Sequence, residues 1–309
     1  MEAIEISRYG PPDVIQLVDM PCPEPGTGQL RVRVIAAGVG PWDALIREGQ
    51  SGIPQTLPLI LGSDIAGVVD AIGAGVSGFN LGDEVYGLTN GTFTGGYAEY
   101  ALASAASMAR KPRSLTFIEA AGAPVVSVTA WQMLLDYAHA AAGQRVLILG
   151  GAGNVGAYAV QLARNAGLEV LATAAANDFD YVRGLGATTV MDYRQIRFEE
   201  MARTVDIVID SIGGETRERS VAAVKSGGIV VSVVSPPMPS EIAAMAGVRS
   251  AFFFVDVTTS RLNAIAELFD GKKLVPQVGT VLPLADARVA HQMLAGAPHK
   301  RGKITLRVS

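Results

Sequence analysis

The sequence predicts an α/β chain in two parts: a mainly-β unit, and a doubly wound parallel sheet that follows it. Three observations lead there. Short alternating strands with glycine turns fill the stretch before residue 118. Beyond it, apolar strands alternate with Ala-rich helical periods, the pattern of βαβ units. A Gly-x-Gly-x-x-Gly string then stands where one of these strands meets a helix. At 309 residues the chain is about twice a typical domain, so two units are expected.

The elements follow in order. Ala3–Ile6 alternates as a short strand. Leu30–Ala36 alternates for longer, with Leu30, Val32, Val34 and Ala36 on one face. Ile65–Ile72 is an apolar run broken by Gly67 and Asp70. Asp83–Leu88 and Tyr97–Leu102 are two more strands, separated by turn signals at Asn90-Gly91 and Gly95-Gly96. Strands of this spacing suggest a small barrel or sandwich. Ile118–Ala121 and Val128–Ala142 are helical in period. Strand Arg145–Leu149, helix Val155–Ala166, strand Glu169–Thr173, helix Phe179–Leu185 and strands Thr189–Met191, Val205–Asp210, Ile229–Val234 and Ala251–Val255 form the parallel series. Two helices, around Leu262–Phe269 and Ala285–Ala295, and a strand at Lys303–Leu306 close the chain.

Composition narrows the function. Lys and Arg number 25 against 29 Asp and Glu, a net charge of −4, which argues against a nucleic-acid or anionic-membrane binder. Hydrophobic residues make up 49% and charged ones 17%, too apolar for a disordered chain. One cysteine, Cys22, excludes an internal disulfide and a cysteine zinc cluster. The start Met1–Gly10 carries Glu2 and Glu5 within its alternation, unlike a secretory signal, and no run reaches membrane-spanning length. A cytoplasmic protein is expected.

The sharpest motif is Gly151-Ala152-Gly153-Asn154-Val155-Gly156, after a buried strand and at the start of a helix. In that setting Gly151 is expected to make the tight turn, Gly153 to let backbone approach a pyrophosphate, and Gly156 to let the helix pack on the strand. The helix N-terminus adds free N–H groups and a positive dipole end. The second strand of an NAD site usually ends on an acid, which holds the ribose and repels a 2′-phosphate. Here it ends Thr173-Ala174-Ala175-Ala176, with no acid before Asp178, so NADPH is the expected cofactor. Asn177, Tyr193 and Arg194 are the nearest phosphate partners, or else a solvated loop.

Further landmarks stand in one order along the chain. They are Ala37-Gly38-Val39-Gly40-Pro41-Trp42-Asp43, Gly62-Ser63-Asp64-Ile65-Ala66-Gly67, Gly82–Gly87, Gly95–Tyr100, Thr129-Ala130-Trp131, the glycine loop, Phe252–Val255 and Gly302–Leu306. Together they resemble the zinc-free quinone oxidoreductases of the medium-chain dehydrogenase/reductase superfamily. The resemblance covers essentially the whole chain. It implies a GroES-like catalytic domain over residues 1–123 and 259–309, and a Rossmann domain over 124–258, with the active site between them.

The zinc alcohol dehydrogenases share this layout. Their catalytic zinc needs Cys where Gly40 stands, His where Ser63 stands, and a ligand near Ser127; no metal is therefore expected. Without a Lewis acid to hold an alkoxide, an electron-poor acceptor such as a quinone or enone becomes the natural hydride sink.

By position and resemblance, the acceptor pocket is expected to draw on Gly40, Trp42, Asp43, Ser63, Thr129 and Phe254. Trp42 either stacks on a flat acceptor or is an ordinary core ring. Asp43 and Arg47, four apart, are read as a helical ion pair. Ser63 either donates to an acceptor oxygen or is a turn serine. The family usually carries Asn where this chain has Gly40.

Cofactor contacts are expected from Thr129, Gly151, Ala152, Gly153, Asn154, Val155, Gly156, Thr173, Ala174, Ala175, Asn177, Tyr193, Ser211, Ile212, Gly213, Val233, Val234, Ser235, Phe253, Phe254, Val255 and Lys303. His139 and His291 are expected to be packed rather than catalytic. A homodimer through the apolar final strand near 250–255 is expected.

The reading is an NADPH-dependent, zinc-independent reductase of a quinone-like acceptor. The alternatives are an enone or alkenal C=C reductase, and a low-turnover NADPH-binding sensor of the crystallin type, which the missing side chain at Gly40 keeps open.

Overall fold

The computed structural model describes residues 1–234 and 236–309. The chain forms two units, Met1–Val125 with Val257–Ser309, and Val126–Asp256.

The first unit begins with β1 (Glu2–Ile6), β2 (Gln16–Asp19), β3 (Gln29–Val39), α1 (Pro41–Glu48), β4 (Leu59–Ile60), β5 (Asp64–Ile72), β6 (Glu84–Leu88), β7 (Tyr100–Ser104), β8 (Met108–Arg110) and α2 (Phe117–Ala121). Helix α3 (Pro124–Trp131) follows and runs into a π-helical turn, Gln132–Tyr137. The second unit carries β9 (Arg145–Leu149), α4 (Asn154–Asn165), β10 (Glu169–Ala174), α5 (Phe179–Leu185), β11 (Thr189–Asp192), α6 (Phe198–Met201), β12 (Val205–Asp210), α7 (Gly214–Ser220), β13 (Val224–Ser232), α8 (Ser240–Met245) and β14 (Arg249–Phe252). The chain returns to the first unit with α9 (Thr259–Asp270), β15 (Val278–Pro283), α10 (Ala287–Leu294) and β16 (Lys303–Arg307).

In the first unit a seven-stranded sheet runs β15-β16-β3-β5-β6-β8, with β7 also paired to β3; a three-stranded sheet runs β2-β1-β4. The alternation along β3 works as the sequence requires: Leu30, Val32, Val34 and Ala36 are fully buried. Leu30, Val32 and Val34 join Ile4, Ile6, Ile65, Val85 and Leu306 in one core. Strand β16 pairs antiparallel with the end of β3, Ile304 opposite Val39, which brings Lys303 to the start of α1.

The second unit is a six-stranded parallel sheet in the order β11-β10-β9-β12-β13-β14. From β9 the chain builds out through β10 and β11 on one side and then through β12, β13 and β14 on the other, so the carboxyl ends of β9 and β12 flank the switch point, the place where such sheets take nucleotides. Its apolar strands, buried on both faces, are the reason the run Val146–Leu149 reads as continuously apolar.

Several boundaries differ from expectation. The last strand stops at Phe252, so Phe253–Val255 lie beyond it. Strand β13 ends at Ser232, leaving Val233 and Val234 in the following loop. Strand β7 starts at Tyr100, not Tyr97. The short strands β2, β4 and β8 and the strand β15 give weak alternation on their own and form because a neighbouring strand is available to pair with.

Candidate functional site

The glycine loop is built by β9, α4 and β10. Strand β9 ends at Leu149, and Gly150 turns the chain with φ +74°, a left-handed conformation that favours glycine. The turning residue is therefore Gly150, not Gly151 as the motif alignment suggested. Gly151 serves close approach instead: a Cβ there would lie 2.9 Å from the Ala172 Cβ. The loop is pinned to β10, because the Gly150 N–H donates to Thr173 Oγ1 (3.0 Å) and the Gly151 N–H to the Thr173 carbonyl (2.8 Å). A Cβ on Gly156 would meet the Gly150 carbonyl oxygen at 2.1 Å, so α4 packs against its own loop only with glycine there.

Gly153 is the N-cap of α4, is exposed, and no side chain caps the helix. The first-turn N–H groups of a twelve-residue helix are thus left for an outside acceptor, with Ala152, Asn154 and Val155 partly exposed around them. This uncapped, glycine-cleared helix start fits a dinucleotide pyrophosphate.

The loop after β12 is organised by a residue the sequence reading left out. Asp210 is fully buried; its Oδ1 accepts from the N–H groups of Ile212 (3.0 Å) and Gly213 (2.9 Å), and its Oδ2 accepts from Ser232 Oγ (2.6 Å). Ser211 donates its hydroxyl to the Leu149 carbonyl at 3.2 Å, and Ile212 is 52% exposed. These contacts tie the ends of β9, β12 and β13 into one rim. Val234 belongs to the same rim: its N–H donates to Ser232 Oγ, and its carbonyl accepts from the buried Arg217. Val233 is half-buried beside it. Ser235 lies outside the described residues.

At the end of β10, Thr173 and Ala174 are buried, Ala175 is half-buried and Asn177 is exposed. Beyond β11, the exposed Arg194 donates from Nε to the Tyr193 hydroxyl at 3.2 Å, and its guanidinium lies 5.4 Å from that ring. Thr129 is buried on α3. Phe253 is buried and stacked on Tyr137 (4.2 Å, 11°), Phe254 is exposed, and Val255 is half-buried.

The first unit gathers a second group. Asp43, at the start of α1, is fully buried; its Oδ2 accepts from the Gly40 N–H (2.8 Å) and from the Tyr97 hydroxyl (2.8 Å). It acts as a helix cap through its side chain, and the expected ion pair with Arg47 does not form. Arg47 is buried too, but donates to the Gly10 carbonyl and to His291 Nδ1 and pairs with Glu48. The four-residue spacing put both on one helix face, but Tyr97 and the Gly40 N–H reach Asp43 first.

Asp64 accepts from the Val125 N–H, and its Oδ2 stands 3.4 Å from Lys303 Nζ without hydrogen-bond geometry. Both side chains are buried to within 1%. The same ammonium lies 4.0 Å from the ring centroid of Trp42, a cation–π contact. Trp42 Nε1–H donates to Ser63 Oγ at 3.0 Å, and Phe93 meets the indole edge-on at 6.4 Å. Ser63 is fully buried, with its oxygen taken by the indole.

Burial dominates the electrostatics here. It pushes Asp43 up to about 7, against the Gly40 N–H, the Lys303 charge and the Tyr97 hydroxyl, which pull it down. It pushes Asp64 up to about 6, against Lys303 and the Val125 N–H, and it lowers Lys303 against the pull of both carboxylates.

Among the pocket residues expected from sequence, Gly40, Trp42, Asp43 and Ser63 come together in the first unit, while Thr129 and Phe254 belong to the second. Lys303 sits in the buried Asp64–Trp42 group rather than as a solvated terminal charge. Asp64, Phe93 and Tyr97 complete the group unassigned by sequence reasoning. Asp64 and Tyr97 stood inside quoted motifs, Gly62–Gly67 and Gly95–Tyr100, but only the fold shows what they touch: the pairing of β5 and β16 with β3 sets Asp64 beside Lys303, and Tyr97 reaches Asp43 on α1. His291 is packed as expected; His139 is exposed, at φ +51°, because the helix ends before it. Cys22 is exposed. Among the described residues, no three His, Cys, Asp or Glu side chains converge as a metal-holding group. Nor is any helix among them long and apolar enough to cross a membrane.

Two family models match: the alcohol dehydrogenase GroES-like domain over residues 26–113 and the zinc-binding dehydrogenase over residues 185–306. The quinone oxidoreductase of Pongo abelii is 31% identical over 325 aligned positions, covering 99% of this chain and 97% of its own. The chloroplastic NADPH-dependent alkenal/one oxidoreductase of Arabidopsis thaliana is 32% identical, over 99% of this chain and 79% of its own. The solved quinone oxidoreductase of Coxiella burnetii superposes with a TM-score of 0.93 at 33% identity, over 100% of this chain and 99% of that one. With the glycine loop of a nicotinamide site and relatives of near-equal length, the chain is an oxidoreductase that belongs to the quinone oxidoreductase family of the medium-chain dehydrogenase/reductase superfamily.

Proposed function

We propose that the protein uses NADPH, without a metal, to reduce a quinone-like acceptor. The observation that carries this is the composition of the first-unit site. The positions that a zinc enzyme fills with Cys and His hold Gly40 and Ser63, and Ser63 is already engaged by an indole. Nothing in that donor set holds an alkoxide, so the residues favour an acceptor that is electron-poor by itself.

Bound at the uncapped start of α4, NADPH would supply a hydride. The chain's own residues do the rest. The first-turn N–H groups of α4 would hold the pyrophosphate. The Asp210-pinned loop fixes the backbone at Ser211–Gly213 for the ribose. Trp42 and Phe93 present aromatic surface to the acceptor. A quinone gains two electrons and one proton as hydride; a second proton, from solvent, completes the hydroquinone.

The preference for NADPH rests on the absence of an acid at the end of β10 and on the exposed Arg194 beyond β11. The similarity to the Arabidopsis oxidoreductase favours a second reading, reduction of an enone C=C bond at the same site.

Absorbance loss at the nicotinamide band tests both, with protein stripped of metal by a chelator. NADPH oxidation by a simple quinone, undiminished by the chelator and much slower with NADH, is expected. Faster turnover of an enone would move the protein to the C=C reductases. Activity that needs added zinc would overturn the metal-free reading. NADPH binding with no acceptor turned over would leave the sensor reading standing.

A further inference from the structure

We propose that Trp42 selects the shape of the acceptor, favouring a flat fused-ring π system over a small one, and that Gly40 is the seat which lets it do so. This deepens the quinone-reductase reading and rests on it.

Gly40 has φ −129° and ψ 162°, ordinary extended backbone that any residue adopts. The glycine is therefore not there for a turn. A Cβ built on it would lie 2.4 Å from Cη2 and Cζ2 of Trp42 and 2.5 Å from Cζ3, inside the distance real side chains tolerate. The indole occupies the volume in which any side chain at residue 40 would begin.

The ring is also held in place. Its Nε1–H is bonded to Ser63, the Lys303 ammonium lies over its face, and Phe93 meets its edge. Lys303 is backed in turn by Asp64. Asp43, Ser63, Asp64 and Lys303 are all buried, whereas Trp42 and Phe93 stay partly exposed. What this group offers an acceptor is aromatic surface, not a polar side chain at position 40. A rigid indole gains from offset stacking on a planar ring, and the gain grows with the ring's area.

The test uses full-length protein, NADPH, and the acceptors 1,4-naphthoquinone and 1,4-benzoquinone. Trp42→Leu is expected to lower the naphthoquinone-to-benzoquinone ratio of kcat/KM about tenfold, about 1.4 kcal/mol, with the loss in KM for naphthoquinone. An unchanged ratio would overturn the selector role. A thermal cycle then tests the seat. Gly40→Asn is expected to lower Tm by about 5 °C in the wild-type background and by much less in Trp42→Ala. Equal losses in both backgrounds would overturn it. The cycle reads stability alone. If neither quinone is reduced by wild-type protein that binds NADPH, the quinone reading and the selector role fall together, while the Gly40–Trp42 coupling is still decided by the cycle.

Discussion

Gly153 and Gly156 stand three residues apart in one loop and answer to different forces. Gly153 is exposed, its φ of −76° is ordinary, and the nearest atom to a Cβ there is 3.3 Å away. Gly153→Asp should fold with a Tm close to wild type, yet place a carboxylate at the proposed pyrophosphate site. Fluorescence titration is expected to show NADPH binding lost; retained binding would mean the phosphate lies elsewhere. Gly156→Ala drives a Cβ into the Gly150 carbonyl, and a drop in stability of about 1–3 kcal/mol in urea denaturation is expected. At this scale the sequence was partly legible. The motif named the loop, but the residue with left-handed φ, Gly150, lies just outside it, because the turn is set by where β9 ends. Asp43 shows the other limit. Helical spacing offered Arg47 as its partner, and a tyrosine 54 positions away took its place.

At the scale of elements, α1 and α10 meet through buried charge. His291 on α10 accepts from Arg47 on α1 at 2.8 Å, and burial with the nearby guanidinium pushes its pKa down to about 3. The folded state keeps the ring neutral, whereas the unfolded chain takes up a proton below about 6.5. Stability from this group is therefore present above pH 6.5 and lost as pH falls toward 3. Asp43 and Asp64 act with the opposite sign. Their raised values, about 7 and about 6, mean the folded state holds protons that the unfolded state releases above about 4, so their contribution fades as pH rises through that window. His291→Gln, neutral throughout, should lose less urea stability between pH 6.5 and 4.5 than wild type does. Equal losses would show that the histidine titrates normally. Long periodic elements, such as β3, α4 and β9, were readable because one face or both are buried. Two-residue β4 was not, since its only support is a partner strand.

At the scale of the whole molecule, β14 is paired to β13 alone among the described residues and lies at the margin of its sheet. An open strand edge invites another chain. Met245 at the end of α8 and Phe254 beyond β14 are 91% and 71% exposed. We propose that two copies join along this margin. Light scattering at micromolar protein should give the mass of a dimer, and a monomer mass would dismiss the idea. The sequence by itself determined the fold class, through local periodicity, the nucleotide loop, through its setting between a strand and a helix, and the family, through the resemblance of motifs that stand in one order along the chain. Only the tertiary structure decided why residue 40 is glycine, what Asp43 bonds, and where Lys303 goes. Those answers depend on side chains brought together from β3, α1, β5 and β16, separated by up to hundreds of residues, and no period or spacing encodes such a meeting.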